Sequence, residues 1–246
     1  MRWRERDGVR WLEAELPGAR AVFTSRLGGV SEPPYDTLNL GRSTGDPRVR
    51  ENRLRLVSAL GVEPDNVLVA RQVHGAQVLD DRAPAEPGAY LDSRPEAPPA
   101  DGHVTARPGY APMVLVADCL PVALAGEGTV GMVHCGWRGL AGGIVEHGVD
   151  ASGATHAVIG PGIGPCCYEV GEEVLAEFEP LSPGVADRSM LDLRAVAAKL
   201  LERAGVERIE VIGLCTSCNP DLFFSHRRDG DRAGRQAGLV WADDRR

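Results

Sequence analysis

Apolar residues in this chain fall mostly in short unbroken runs rather than in strict alternation with polar ones. VLVA at 67–70, MVLVA at 113–117, TVGMVH at 129–134, AVIG at 157–160 and IEVIGLC at 209–215 are of this kind. Such runs predict strands covered on both faces, as in layered α/β proteins. Between them the spacing turns helical. Asp46 followed by Pro47 gives an N-cap and first-turn signal, Val49, Leu56 and Leu60 share a face, and Gly61 closes the segment. Helical patterns follow at 171–179 and 191–204. The stretch APAEPGAYLDSRPEAPPA at 83–100 is rich in proline and polar residues and reads as a long surface loop. Candidate ligands lie on both sides of it, so residues 1–246 are expected to form one α/β domain.

Composition narrows the functional classes. A net charge of −8 argues against general affinity for nucleic acid or acidic membranes. The apolar runs, Leu120 to Ala125 among them, are too short to cross a bilayer. The start MRWRERDGVRW lacks the apolar stretch of a signal peptide, so a cytoplasmic location is expected. The six cysteines then read as thiols or ligands rather than as a disulfide framework.

Three segments carry candidate chemistry: RQVHG at 71–75, ADCLP at 117–121 and HCGWRG at 134–139. Each lies at or just after the end of an apolar run, and strand ends converge on one rim of a sheet, where α/β proteins place their sites. His74, Cys119 and His134 would supply two imidazoles and a thiolate, a set suited to a borderline-soft ion such as zinc. Three protein ligands leave a fourth position open, the catalytic rather than the structural pattern. The same set also matches a trigonal copper site. Spacing alone leaves a further alternative open, that these are packed core residues.

Together with TSRLGGVSEPPYDTLNLG at 24–41, ENRLRLVSALG at 51–61, IGPGIGPCCYEVG at 159–171 and FFSHRRDGDRAGRQAG at 223–238, these segments resemble one family in order along nearly the whole chain. It is the family long catalogued as multicopper polyphenol oxidases, or laccase-like proteins, and now described as purine nucleoside phosphorylases; bacterial peptidoglycan-editing factors are grouped there. The resemblance implies one catalytic zinc per chain held by His74, Cys119 and His134. It also implies a layered α-β-β-α fold with mixed sheets, similar to the catalytic domain of cytotoxic necrotising factor. The implied activity is phosphorolysis of adenosine, inosine, guanosine and 5′-methylthioadenosine, with hydrolytic deamination of adenosine beside it. Two departures are visible. Cys135 stands where alanine is commoner, and DGHVT at 101–105 replaces DALVT. Cys135 should point to the face opposite His134 if the strand continues.

Phosphorolysis requires cations for inorganic phosphate. Arg26, Arg138, Arg227 and Arg228 are the candidates, with Asn39 and His226 as further substrate contacts. His103, His147 and His156 match no ligand position and read as surface or packing residues. Cys215 and Cys218 form a CxxC, but Asn219-Pro220 follows and no second CxxC exists, so packing is the better reading. Adjacent Cys166 and Cys167 would point apart on an extended chain, which disfavours joint ligation. Gly160-Pro-Gly162-Ile-Gly164-Pro lacks the GxGxxG spacing and reads as a turn shaping the pocket.

Three functions fit these residues. One is the zinc phosphorylase. A copper oxidase would need a further imidazole cluster, and six histidines, three of them outside the motifs, are too few. A cysteine hydrolase acting on cell-wall precursors would use Cys119 as nucleophile and His134 as base.

Overall fold

The computed structural model describes residues 1–80, 89–91 and 98–243. The chain begins with strands β1 (Arg2–Arg6), β2 (Val9–Leu16) and β3 (Ala19–Thr24), followed by helix α1 (Val49–Leu60). Short strands β4 (Val67–Leu68) and β5 (Val78–Asp80) precede β6 (Gly102–Thr105), β7 (Ala111–Val116), β8 (Leu120–Gly126) and β9 (Thr129–Cys135). Helices α2 (Trp137–Ala141) and α3 (Ile144–Ser152) lead into β10 (His156–Ile159). Then come α4 (Glu172–Phe178), β11 (Ala186–Asp187), β12 (Met190–Leu191), α5 (Leu193–Arg203), β13 (Arg208–Val211), α6 (His226–Asp229) and β14 (Gln236–Ala242).

Two six-stranded mixed sheets carry the architecture. One has the order β1-β2-β3-β14-β7-β4 and the other β13-β10-β8-β9-β6-β5. In each, the parallel pairs lie at an edge: β4 with β7 in the first, β5 with β6 and β10 with β13 in the second. The two sheets meet over Ala21, Phe23, Val116 and Val240 from one and Ala123, Met132 and Val158 from the other. The outer face of the first sheet packs on α1 through Trp11, Val22, Leu239, Leu56 and Val57. The outer face of the second packs on α3, α4 and α5 through Leu124, Val133, Ile144, Val149, Phe178 and Val196. The packing therefore runs helix, sheet, sheet, helix. Unbroken apolar runs follow from it: both faces of β8 are covered, so six of its seven residues are buried.

Three expectations change. IEVIGLC forms a strand only to Val211, and that strand is mostly exposed because β13 is a sheet edge with one neighbour. VLVA contributes two strand residues. Asp46 does not cap α1, which starts three residues later. Its carboxylate accepts the Arg48 amide at 2.9 Å just ahead of the helix, and also Ser31 Oγ at 2.5 Å and Asn39 Nδ2 at 3.0 Å. The expected surface loop at 83–100 lies largely outside the described residues. Inside the described part, Tyr90 is 1% exposed and packs in the α1 core, with its hydroxyl donating to Arg53 O at 3.0 Å. Its aromatic ring, flanked by Ala89 and Leu91 within a proline-rich stretch, makes it a core residue.

Helix α1 also holds the 26–41 segment in place. Asn52, fully buried, accepts Val30 N at 2.8 Å and donates to Ser31 Oγ, Thr37 O and Asn39 O. Replacing it with leucine strands several buried polar groups at once. Asn52→Leu should therefore lower stability by at least about 2 kcal/mol, read as a lower urea midpoint; an unchanged midpoint would show that water substitutes for the amide.

Candidate active site at the strand ends

Antiparallel pairing brings two of the three candidate ligands together. Leu120 pairs with Cys135 and Pro121 with His134, so the start of β8 lies beside the end of β9. Cys119, just before β8, consequently faces Gly136, just after β9. A Cβ at Gly136 would sit 3.1 Å from Cys119 Sγ and 3.4 Å from His74 Cδ2, so glycine lets Cys119 and His74 approach without crowding. The His74 and His134 rings meet edge to face, with centroids 4.9 Å apart. One donor atom each from His74, Cys119 and His134 lies within 4.8 Å of the others.

Asp101 sets this geometry. Its side chain is buried and accepts the amides of Val73, His74 and Gly75 at 3.1, 3.0 and 2.8 Å. Three successive amides on one carboxylate bend the chain and hold His74 at φ +58°, a left-handed conformation that histidine adopts more readily than most residues. The same carboxylate takes His134 Nδ1 at 2.8 Å, and His134 N donates to the Asp101 carbonyl at 2.6 Å. Burial would raise the Asp101 carboxyl, but the bonds from His134, Gly75 and Val73 bring it below its ordinary value.

On the other side, Asp118 stands at φ +88° and ties Cys119 to two distant segments. Its carboxylate accepts Thr216 Oγ1 and the Arg227 amide, both at 2.6 Å. The protein groups alone form an ion pair. Burial pushes the Cys119 thiol up, and contact with His134 and His74 more than reverses this, bringing it to about 6. Burial likewise opposes the His134 imidazolium, while Cys119 and Asp101 raise it to about 9.

These three side chains form part of the lining of a cleft of about 720 Å³. Its walls include Trp137, Tyr168, Arg71, Arg138 and Arg227.

A family model described as multi-copper polyphenol oxidoreductase laccase matches residues 20–243. The chain belongs to this family. A protein of Xylella fastidiosa named purine nucleoside phosphorylase is 42% identical, over 92% of this chain and 93% of its own length. Purine nucleoside phosphorylase YfiH of Escherichia coli is 38% identical, over 91% and 94%. The crystal structure of YlmD from Geobacillus stearothermophilus superposes with a TM-score of 0.87 at 34% identity and covers 98% of both chains.

Within this family scaffold the other expected site residues separate. Arg138, His226 and Arg227 line the cleft. Arg138 is exposed and stacks 4.3 Å over the Trp137 ring. Arg227 donates to Glu169 O at 2.9 Å and lies 5.2 Å over Tyr168. His226 Nδ1 is 3.0 Å from Gly230 O. Arg26 and Asn39 are not among the lining residues. Arg26 bonds Asp36 O at 2.7 Å and Pro220 O at 3.0 Å, which straps two loops together. Asn39, fully buried, accepts the amides of Gly41 and Arg235 at 3.0 and 2.9 Å. Arg228 is consumed by Asp229 at 2.7 Å and by the carbonyls of Thr216, Ser217 and Phe223.

Sequence reasoning missed Asp101, Arg71, Trp137, Tyr168 and Arg235 as site residues. Asp101 was visible only as the first letter of DGHVT, and nothing in its spacing pairs it with 73–75 or 134. Cys135 is buried in the core with α3, α4 and α5, facing away from His134 as expected from alternation. His103 is buried, which lowers it to about 4, and it joins no ligand group. Cys215 packs in the core as expected, but the expectation that Cys166 and Cys167 point apart changes. Residues 165–167 and 216–218 are turns, not extended chain, and they bring the four sulfurs to within 4.8 Å of one another.

The His-Cys-His set fits a metal ion. Its donor atoms converge where Gly136 leaves space, and a carboxylate fixes one imidazole through its other nitrogen, as around metal-ligating histidines generally. Asp101→Asn should weaken metal affinity by about 10–100-fold, measured by competition with a chromophoric chelator. Metal-free protein should alkylate at Cys119 with an apparent pKa of about 6, far below an ordinary thiol. Bound metal should suppress that labelling, because the thiolate is then a ligand.

Proposed function

We propose that this protein is a zinc-dependent purine nucleoside phosphorylase with a hydrolytic adenosine deaminase side activity, organised as one domain over the chain. One observation carries the reading: a His-Cys-His ligand set, two aromatic rings and several arginines line a single cleft. The names of the relatives favour a nucleoside and phosphate as the pair of substrates. His74, Cys119 and His134 would hold the ion, and when bound it supplies a concentrated positive charge at the cleft wall.

The remaining chemistry belongs to the side chains. Trp137 and Tyr168 offer faces on which a purine can stack. Arg138 has no carboxylate partner among the described residues, so its charge is available to a phosphate dianion; Arg227 adds a second cation. A phosphate oxygen bonds to C1′ as the bond from C1′ to N9 breaks, and the bonding electrons leave with the purine, which takes up a proton. Holding phosphate and nucleoside together supplies the proximity such a displacement needs.

A second reading has its own support. The Cys119 thiolate beside the His134 imidazolium is the pairing of a cysteine nucleophile with its acid-base partner. On that reading the protein would be a hydrolase of cell-wall precursors. Copper is the alternative ion named by the family description, yet the other ligand group among the described residues is all cysteine, not the imidazole cluster a multicopper centre requires.

Adenosine with phosphate should give adenine and ribose 1-phosphate, and without phosphate should slowly give inosine, both resolved by chromatography. Cys119→Ala and His134→Ala should abolish both activities along with the ion bound at this site. Arg138→Met should raise KM for phosphate by about tenfold or more and affect deamination less. Equal losses would make Arg138 structural, and absence of any purine product from zinc-loaded protein would favour the hydrolase.

A further inference from the structure

The four remaining cysteines apart from Cys135 form a second cluster that the reaction does not use. Cys166 and Cys167 lie in the turn after β10, and Cys215 and Cys218 in the turn after β13. Cys218 Sγ is 3.4 Å from Cys166 Sγ and 3.3 Å from Cys167 Sγ, and all four sulfurs lie within 4.8 Å of one another. We propose that these four thiolates bind a second, structural zinc ion.

Three features carry this. First, Cys218 is almost equidistant from two partners, so no single disulfide is selected, whereas one ion satisfies all four sulfurs. Second, the local backbone is shaped around the sulfurs. Tyr168 N and Cys167 N both donate to Gly164 O, at 3.1 and 3.0 Å, which curls the chain so that consecutive cysteines face one centre. A Cβ at Gly164 would meet Cys166 Sγ and Cys215 Cβ at 3.3 Å, so glycine lets the two turns approach. Gly164 N also donates to Cys215 Sγ at 3.2 Å, the kind of bond that stabilises a ligating thiolate. Third, the donor set is a closed tetrathiolate with no position left for water or substrate, the pattern of structural zinc.

The placement gives the ion a purpose. The Cys166–Cys167 turn leads directly into Tyr168, a cleft residue. The other turn carries Thr216, whose hydroxyl holds Asp118 beside Cys119. Arg227 donates to Cys167 O and Glu169 O, and so leans on the first turn from the cleft side. A tie between the two turns fixes one wall of the cleft without touching substrate. This site does not rest on the proposed reaction.

Native mass spectrometry of the whole protein, purified under reducing conditions with zinc present, tests it. Two zinc ions per chain are expected. Cys218→Ser and Cys166→Ser should each reduce the count to one, while His134→Ala should remove the other ion and leave this one. Cobalt substitution gives a second readout: the intense four-thiolate charge transfer should persist in His134→Ala, and Cys218→Ser should keep only the weaker band of the single-thiolate Cys119 site. One zinc in the wild-type protein beside four alkylatable cysteines would overturn the proposal without any variant needing to fold. So would a disulfide from Cys218 to Cys166 or Cys167 in freshly reduced and zinc-loaded protein.

Discussion

The candidate site depends on one buried carboxylate. Asp101 sits between two segments that the sheet brings near through β5, β6 and β9, the 73–75 bend and the end of β9, and its side chain fixes them to each other. A carboxylate inside protein is costly unless it is fully hydrogen-bonded, and Asp101 meets that demand with three amides and an imidazole. Satisfying the charge and building the site are thus the same event. The amides can only all reach if the chain takes the left-handed turn that presents His74. The imidazole can only donate from Nδ1 if its Nε2 is left facing Cys119 and His74.

This explains why the site was partly legible in the sequence. His74, Cys119 and His134 were found because each follows an apolar run, and runs that end together in a layered sheet deliver their next residues to one rim. Asp101 lies at the start of β6, next to β9 in the sheet, and that adjacency is topological rather than sequential. The arginines divided for a related reason. Arg26 and Asn39 were expected to reach substrate, but Arg26 holds the carbonyls of Asp36 and Pro220, and Asn39 holds the amides of Gly41 and Arg235. Side chains that cap carbonyls inside a loop and side chains that reach for a ligand have the same composition signal. Only the direction of the side chain separates them.

The fold shows the same division. Strands covered on both faces announced themselves as apolar runs, and α5 begins at Asp192, whose carboxylate accepts the Arg194 and Ala195 amides. The hairpins β1–β2 and β2–β3 went unread, although Asp7-Gly8 and Pro17-Gly18 are turn pairs of the right length between Arg6 and Val9 and between Leu16 and Ala19. The first of their strands, β1, is rich in charge and lies at the sheet edge, where a row of arginines and glutamates discourages pairing with another chain. The cysteine turns were misread because alternation was assumed where the chain curls. Tyr90 was misread because it lies in a stretch rich in proline and charge, although Ala89 and Leu91 flank it.

Electrostatics connect the two readings of the candidate site. Burial penalises an isolated Cys119 thiolate, so the site must supply a positive charge beside it. In the protein alone that charge is a proton on His134, raised to about 9 by the sulfur and by Asp101. A divalent ion offers the same sulfur a stronger partner and at the same time releases the proton from the imidazole, which must be neutral to ligate. Asp101 favours both outcomes, since it accepts from Nδ1 whether or not Nε2 is protonated. The thiolate and its imidazole neighbour are therefore a poised ligand pair as much as a nucleophile and base. Their arrangement beside His74, with Gly136 against Cys119 and His74, also suits a metal ion.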